Sequence, residues 1–372
     1  MRGRAETTNL VARSRRADDA AVELAWKEHQ DADHVPTPFQ SWEWFSSLTD
    51  SEALAADVEV LCAEDGSGRI VGLLALGWAA TGKLPTLGFA GWDYTTPDHV
   101  DVIAAPEDRR RCAHAFASHL AGRRDWAMVD FDGIAAGSAL GPALAAALRP
   151  PRYVTLAAED VVCRYLPLDP DKGMENVPSR STRKQARQDL RRAEAGGGGF
   201  DRVTDPDTVD AAFDSLVALH RKRFPRSPVF ATPEREQFQR RAASRLLTAG
   251  LARIYRLTVG DRLVAISYLV TAHGVAGSYL SGRDDEAGLL HSPGRTLRAG
   301  VIGDLAADRF REYDGLRGGH EYKTTLTDSE RTDLRVRHVR VGRRSIGWAA
   351  PKLVHRLGSR LGRTAPAEAD TL

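Results

Sequence analysis

Ionisable side chains follow a run of glycines near residue 320, where a strand is predicted to end. The segment reads Gly315-Leu-Arg-Gly-Gly-His-Glu-Tyr-Lys323 and contains His320, Glu321 and Lys323. Open α/β sheets bind ligands at the carboxyl ends of their strands. These three side chains are therefore candidate catalytic groups, and the alternative is a charged surface loop of no catalytic role.

The segment Leu290-His-Ser-Pro-Gly-Arg-Thr-Leu297 is a second candidate site, because it is predicted to open a helix. Ser292 can cap the helix, Pro293 suits its first turn, and Gly294 leaves the backbone accessible to a ligand. Unpaired N–H groups and the positive end of the helix dipole would then hold a pyrophosphate, with Arg295 adding charge. Since Ser-Pro before a helix is common, the pattern by itself leaves both interpretations open.

Basic residues recur at steps of three and four after Ser179, so they are predicted to share one face of a helix that Gly196–Gly199 ends. A face with this much positive charge favours phosphates, either of a CoA nucleotide or of RNA. The alternative is a solvated face balanced by acidic neighbours. The residues of this basic face are Arg180, Arg183, Lys184, Arg187 and Arg191.

His220 lies on the same predicted helical stripe as Phe213, Leu216 and Val217, with Arg223 one turn later. A histidine on an apolar stripe is more often a core residue with satisfied hydrogen bonds than a ligand. His220 and Arg223 could nevertheless line a pocket, and they are candidate substrate-binding residues.

Composition excludes several classes of protein. Of the 372 residues, 42% are hydrophobic and 27% charged, and the net charge is only +2, which is typical of a globular protein and unlike a polycation. Cys62, Cys112 and Cys163 are far apart, so we expect neither a disulfide framework nor a metal site. Val71–Ala80 is the most apolar stretch and is shorter than the roughly 20 residues of a membrane helix. We expect a soluble, cytoplasmic protein without a secretory signal.

Motifs of other enzyme classes are also missing. The sequence contains no GxSxG elbow, Walker loop or HExxH pair, and no dinucleotide fingerprint after a predicted strand. The sequence therefore gives little support to a hydrolase, an NTPase, a zinc protease or a dehydrogenase.

The chain shows an internal repeat. Each half is predicted to contain a β-hairpin and, further on, a helix followed by a strand, which indicates a mixed α/β sheet with helices on its faces. The predicted segments are Val58–Ala63, Arg69–Leu76, Asp108–Leu120 and Asp125–Phe131 in the first half, and Arg253–Val259, Arg262–Val270, Pro293–Phe310 and Tyr313–Leu316 in the second.

Taken in order, these segments resemble the FemAB-like branch of the GNAT superfamily, close to the acetyltransferase domain of CelD-type cellulose-biosynthesis proteins. The resemblance spans roughly residues 36–340. It rests on Thr37–Trp44, the basic helix Ser181–Arg192, Leu219–Phe224, the hairpin with Leu263-Val-Ala-Ile, Tyr279–Arg283, Ser292–Gly294 and the ending Tyr313-Asp-Gly…Glu321-Tyr-Lys323.

The resemblance implies two tandem GNAT-like domains, which we expect at 21–160 and 161–345. We expect residues 1–20 to be disordered and 346–372 to form a basic amphipathic helix and a tail. It also implies N-acyl transfer from acyl-CoA, acetyl-CoA first, to an amine of a small molecule or amino sugar. The amine attacks the thioester while a base removes its proton.

Site residues follow from the same resemblance. Ser292, Gly294, Arg295 and Thr296 fall at the pyrophosphate-binding helix start, although the usual glycine-rich loop is reduced here to His-Ser-Pro-Gly-Arg-Thr. Lys323 matches a lysine that neutralises developing negative charge near the acyl donor. The candidate catalytic residues are Lys323, His320, Glu321 and Tyr279.

Two other functions remain open at this stage. An aminoacyl-tRNA-dependent amide-forming transferase would use the basic face to bind tRNA. A catalytically silent GNAT-like binding protein would explain the reduced phosphate loop.

Overall fold

The computed structural model describes residues 10–81, 84–205, 208–318 and 321–342. The strands are β1 (Val11–Arg16), β2 (Val58–Glu64), β3 (Ile70–Thr81), β4 (Leu84–Phe89), β5 (Ile103–Ala104), β6 (Met128–Ile134), β7 (Tyr153–Pro167), β8 (Gly199–Arg202), β9 (Ala252–Val259), β10 (Arg262–Ala272), β11 (Val275–Arg283), β12 (Glu312–Arg317) and β13 (Ser329–Arg340). The helices are α1 (Ala20–Asp31), α2 (Trp42–Thr49), α3 (Glu52–Ala55), α4 (Trp92–Thr95), α5 (Arg109–Gly122), α6 (Leu140–Ala147), α7 (Arg180–Ala195), α8 (Val209–Arg223), α9 (Pro233–Thr248), α10 (Pro293–Ala307) and α11 (Glu321–Thr324).

The chain divides into two compact units that exchange segments. The first unit contains Met1–Pro36, Glu52–Asp160 and the residues from Leu334 onward, and the second contains Thr37–Ser51 and Val161–Asp333. Residues 37–51 are thus flanked in sequence by the first unit but belong to the second. The residues from Leu334 onward follow the second unit in sequence but belong to the first.

The first unit is a mixed sheet in the order β1-β2-β3-β4-β6-β13. The strands β1 to β4 pair antiparallel, β4 and β6 pair parallel, and β6 pairs antiparallel with β13. Helix α5 covers this core because its buried residues recur at helical spacing: Cys112, Ala113, Phe116, Ala117 and Leu120.

The second unit repeats this arrangement in the order β7-β12-β11-β10-β9-β8. The strands β8 to β11 pair antiparallel, β11 and β12 pair parallel, and β12 pairs antiparallel with β7. Helix α10 packs on this sheet through Leu297, Val301, Ile302 and Leu305, the residues that its sequence periodicity predicts.

The predicted repeat and fold class are confirmed. In each unit a hairpin is extended by a third antiparallel strand, and a helix then leads to a parallel strand. The hairpins are β2–β3 and β9–β10, as expected from their β-branched residues and glycine-containing turns. The three cysteines are buried and form no disulfide bond.

The boundaries of the units differ from the expected ones. Val11–Arg16 forms β1 and pairs with β2, whereas we expected no structure before residue 21. Thr37–Ser51 belongs to the second unit although it precedes most of the first. The expected helix at 346–372 lies outside the described residues. Among those that are described, no helix has the length and apolar character to cross a membrane.

Candidate functional site

The parallel strands β11 and β12 separate after three residue pairs. Their pairing covers Val275 to Gly277 on β11, whereas β11 continues to Arg283. Leu316 in β12 has a left-handed φ of 55°, and the register of β12 with β7 shifts between Asp314 and Arg317. Since β12 continues to Arg317, the two parallel strands are unpaired with each other over their carboxyl ends. In α/β sheets this is where ligands bind.

Helix α10 begins ten residues after β11, and its start is organised by a carboxylate that the sequence analysis did not select. Asp189 of α7 is fully buried and accepts hydrogen bonds from the N–H of His291 (3.3 Å), the N–H of Ser292 (3.2 Å) and the hydroxyl of Thr296 (3.1 Å). Ser292 makes no side-chain capping bond. Asp189 thus supplies the negative charge that favours a helix N-terminus.

The first turn of α10 keeps N–H groups that no helical carbonyl can reach. Thr296 is the first residue of this turn whose N–H bonds a backbone carbonyl, that of Ser292. The N–H groups of Gly294 and Arg295 precede it and have no intrahelical partner. A Cβ at Gly294 would lie 3.1 Å from Arg283 Cδ and 3.3 Å from an Arg298 nitrogen. Guanidinium groups therefore surround this glycine, whereas we expected open space for a ligand.

A cleft of about 230 Å³ lies between α7 and the start of α10. It brings together Ser292, Arg295 and Thr296 of the predicted phosphate site but does not include Gly294. Arg295, which lines this cleft, donates from Nε to Ser292 Oγ at 2.9 Å. The other lining residues are Ser181, Thr182, Gln185, Ala186 and His291.

The basic face of α7 divides into two groups. Arg183 and Arg187 pair with Glu175, and Arg183 also donates to the carbonyl of Pro178 at 3.0 Å. For these two arginines the better interpretation is a solvated face whose charge is balanced by an acidic neighbour. Arg180, Lys184 and Arg191 are exposed and form no ion pair within the described part of the chain.

Lys323 is buried at the end of β12. Its ammonium donates to the carbonyl of Leu316 at 3.2 Å and to that of Arg317 at 2.5 Å. The residue as a whole is 6% exposed. The lysine therefore fixes a positive charge at the carboxyl end of this strand. Glu321 begins α11, and His320 lies outside the described residues.

His220 is a satisfied interior histidine. Its Nδ1 lies 3.1 Å from the carbonyl oxygen of Ser281, so this nitrogen carries the proton, and Nε2 accepts from the hydroxyl of Ser227 at 3.1 Å. Burial lowers the pKa of His220 to about 4. The guanidinium of Arg223 lies 4.7 Å from the centre of the Phe224 ring, which is itself 5.0 Å from the centre of the His220 ring.

A close approach between α8 and β11 places His220 beside Ser281. A Cβ at Gly282 would lie 2.4 Å from Leu219 Cβ and 2.9 Å from His220 N. Only glycine permits this distance, because real Cβ atoms do not approach other heavy atoms so closely.

Tyr279 lies in an aromatic cluster of the second unit. Its ring centre is 5.2 Å from that of Phe39 and 5.6 Å from that of Trp44. Its hydroxyl accepts a hydrogen bond of 2.8 Å from Gln239. The segment Thr37–Trp44 therefore packs against β11, a role that its position in the first half of the sequence did not suggest.

Asp189 and Arg298 are the principal residues of this site that sequence reasoning missed. Arg298 is buried and links Gly294 O (3.2 Å) to Ser281 Oγ (3.0 Å), which connects α10 to β11. A signal for Asp189 exists, since Thr182, Ala186, Asp189 and Ala193 recur at steps of four, three and four and form the buried face of α7. Arg298 offers no comparable signal, because its role depends on the neighbouring strand.

Comparison with known proteins places this geometry in context. Residues 180–324 match the sequence profile described as Acetyltransferase (GNAT) domain. This match covers the basic helix, the separated strands and Lys323. No curated protein sequence matches the chain at a significant level.

Solved structures share the fold over nearly the whole chain. FemX is 10% identical with a TM-score of 0.58, and the match covers 87% of this chain and 98% of FemX. L-PGS from Bacillus licheniformis is 13% identical with a TM-score of 0.53, and the match covers 92% of this chain and 97% of L-PGS. At these identities the likeness concerns the fold alone. The chain thus has the fold of two tandem GNAT-like domains, and its second unit carries the match to the GNAT acetyltransferase domain.

Proposed function

We propose that this protein is an N-acyltransferase that moves an acyl group from acyl-CoA, with acetyl-CoA as the first candidate, to an amine of a small molecule or amino sugar. The observation that carries this proposal is the separation of β11 from β12 beside the start of α10, within the residues that match the acetyltransferase domain. The gap would receive the thioester, and the helix start would receive the donor's phosphates.

The donor would be held by the cleft between α7 and α10. Gly294 and Arg295 would donate backbone N–H groups to phosphate oxygens, and the Arg295 guanidinium would add charge. Because Asp189 already accepts from Ser292 and Thr296, these two residues would shape the cleft and would not bind phosphate themselves. This narrows the role that the family resemblance suggested for them.

The catalytic groups would lie at the strand ends. As the amine attacks, negative charge develops on the carbonyl oxygen and then on the departing thiolate. The fixed ammonium of Lys323 would stabilise that charge more in the transition state than in the ground state. His320 would accept the proton from the amine, since its unperturbed pKa lies near neutrality.

The remaining predicted residues have supporting roles in this scheme. Glu321 adjoins His320 and would orient or polarise it. Tyr279 would form part of the acceptor-side wall through its aromatic cluster. His220, held neutral by burial, would keep β11 in place and would act on substrate only indirectly, and Arg223 would contribute charge near the acceptor.

Binding of acetyl-CoA to the full chain, measured by native mass spectrometry and calorimetry, tests the proposal. Arg295→Ala should weaken binding about 10- to 150-fold, because one charge-assisted contact contributes about 1.5–3 kcal/mol. Arg309→Ala is the matched control, since this exposed arginine lies at the far end of the same helix, roughly 20 Å away. Equal affinity of the Arg295 and Arg309 variants would contradict the assigned phosphate site.

The alternative function is a transferase that uses aminoacyl-tRNA. The observation in its favour is the exposed group Arg180, Lys184 and Arg191 on α7, beside the same cleft. Retention of charged tRNA, lost when these three residues are changed to alanine, together with no binding of acetyl-CoA, would favour it. Binding of neither donor would favour a silent GNAT-like protein.

A further inference from the structure

The first unit contains a pair of histidines that its backbone brings together. Helix α1 ends in a left-handed turn: Asp33 has a φ of 60°, the N–H of His34 bonds the carbonyl of His29 at 2.8 Å, and the N–H of Asp33 bonds that of Gln30 at 3.0 Å. This pair of bonds is the Schellman arrangement. The turn folds the chain back over the last helical turn and sets His34 beside His29.

The two imidazoles face each other through the same atom. His29 Nδ1 lies 3.2 Å from His34 Nδ1, and the ring centres are 5.5 Å apart. At this distance the two Nδ1 atoms cannot both carry a proton, so at least one presents a lone pair to the other.

The histidines line a cleft of about 290 Å³ that is bordered by charges of both signs. Three carboxylates border it against two guanidinium groups. Asp65 Oδ1 accepts from the Ser67 N–H and hydroxyl, which keeps the pKa of Asp65 below its ordinary value and the carboxylate ionised. Asp108 pairs with Arg111. The charged lining residues are Glu28, Asp65, Asp108, Arg69 and Arg111.

The position of His34 is fixed from outside the turn as well. Arg109 at the start of α5 donates to the His34 carbonyl at 3.2 Å and to the Ala104 carbonyl at 3.3 Å. One backbone turn, closed by two hydrogen bonds, and one arginine therefore hold the pair. Such preorganisation is what a two-histidine chelate requires, because the ligands need not be gathered at the moment of binding.

We propose that His29 and His34 chelate a divalent transition-metal ion of the Zn²⁺ class through their Nδ1 atoms. Two imidazole nitrogens at about 2.0–2.1 Å from a tetrahedral zinc lie about 3.3–3.4 Å apart, close to the observed 3.2 Å. Water would complete the coordination. From the wide separation of the cysteines we expected no metal site, and the turn that joins this pair of histidines leaves no clear pattern in the sequence.

Calorimetric titration of the untagged, metal-stripped chain with Zn²⁺ at pH 7.5 tests this assignment. One ion should bind, and His29→Gln and His34→Gln should each weaken it about tenfold or more. His114→Gln is the matched control, as this histidine is exposed on α5 of the same unit and should leave the affinity unchanged. Circular dichroism verifies that each variant is folded.

A measurement on the wild-type chain tests the same proposal without relying on the folding of the variants. In ¹⁵N NMR spectra, Zn²⁺ should shift the Nδ1 resonances of two histidines together. If the two nitrogens share only a proton, Zn²⁺ will leave these resonances in place and the three variants will titrate alike. Either result would overturn the proposal.

Discussion

At the scale of single residues, buried charges in the second unit are each held by several hydrogen-bond partners. Asp189 organises residues 291–296, about a hundred positions later, and Lys323 binds the carbonyls of Leu316 and Arg317. A buried charge without partners is costly, so each needs such contacts to be tolerated at all. These charges are consequently fixed in position, as electrostatic catalysis or ligand binding requires.

Lys323→Met tests the proposed role of this fixed charge. Turnover should fall about 10²–10³-fold, because the variant lacks the ammonium that would stabilise developing negative charge. Since the ammonium also bonds two buried carbonyls, the free energy of unfolding should fall by about 1–3 kcal/mol. If Lys323 were instead an exposed surface residue, the alternative that the sequence left open, the substitution would cause no loss of stability. Steady-state kinetics and urea unfolding measure the two effects, and near-normal turnover would exclude the catalytic role.

His220 should make stability depend on pH. Its pKa is about 4 in the folded protein, below the ordinary value of about 6.5 in the unfolded chain. Between these values the unfolded state binds more protons, so stability falls as pH decreases from 6.5 to 4. The loss is at most about 3 kcal/mol. Above pH 6.5 the residue adds no pH dependence.

The measurement is urea unfolding at pH 4.5, 5.5 and 7 for the wild type and His220→Gln. Other histidines, among them His29, His119 and His338, also have lowered pKa values, so only the difference between the two proteins is diagnostic. The variant should lose less stability on acidification. Parallel stability curves would show that His220 does not titrate as its environment suggests.

At the scale of elements, the start of α10 is set by its contact with α7. The loop residues 291 and 292 and the hydroxyl of Thr296 all bond one carboxylate. The protein itself therefore holds the helix start in place, and the N–H groups of Gly294 and Arg295 have no intrahelical partner. This alignment links the basic helix, whose sequence is unusual, to the proposed donor cleft.

Asp189→Asn tests that alignment. The amide has nearly the same size, but its NH₂ group faces donors that formerly met a carboxylate oxygen, so hydrogen bonds are lost. The unfolding free energy should fall by about 1–3 kcal/mol, and donor affinity should fall with it. Thr296→Val removes only one of the bonds and should show a smaller loss of both. If Asn at 189 leaves affinity and stability unchanged, the carboxylate does not organise the cleft.

At the scale of the whole molecule, each unit depends on a segment that is distant in sequence. Strand β13 completes the sheet of the first unit by pairing with β6, and Arg335 and Arg337 bind the buried Asp130. Residues 37–51 supply Trp44 to the second unit. Neither half of the sequence therefore contains all of its own core.

A fragment of residues 1–160 should consequently fail to fold cooperatively. It would expose the edge of β6 and leave Asp130, which is 2% exposed in the chain, without either arginine. Joining residues 329–342 to its end by a flexible linker should restore a cooperative thermal transition, because the missing strand is returned. Circular dichroism melting compares the two fragments, and a sharp transition of the shorter one would contradict the dependence on β13.

Much of the architecture follows from local patterns in the sequence. The alternation of apolar residues and the glycine-containing turns predict the two hairpins, and the spacing of Leu297, Val301 and Leu305 predicts α10. These features depend on neighbours within a few residues, and periodicity records such neighbours directly. The repeat of the same pattern in both halves is what allows the mixed α/β fold and its duplication to be predicted.

The tertiary structure alone decides which distant residues meet. Contacts formed through the fold decide that Asp189, and not Ser292, bonds the start of α10. They also decide that Arg183 pairs with Glu175 and that His29 contacts His34. The exchange of β13 and of Thr37–Ser51 is equally invisible in sequence, because strand pairing over long separations leaves no local period. Sequence therefore determined the elements and the fold class, and three-dimensional contacts determined the partners of each charge.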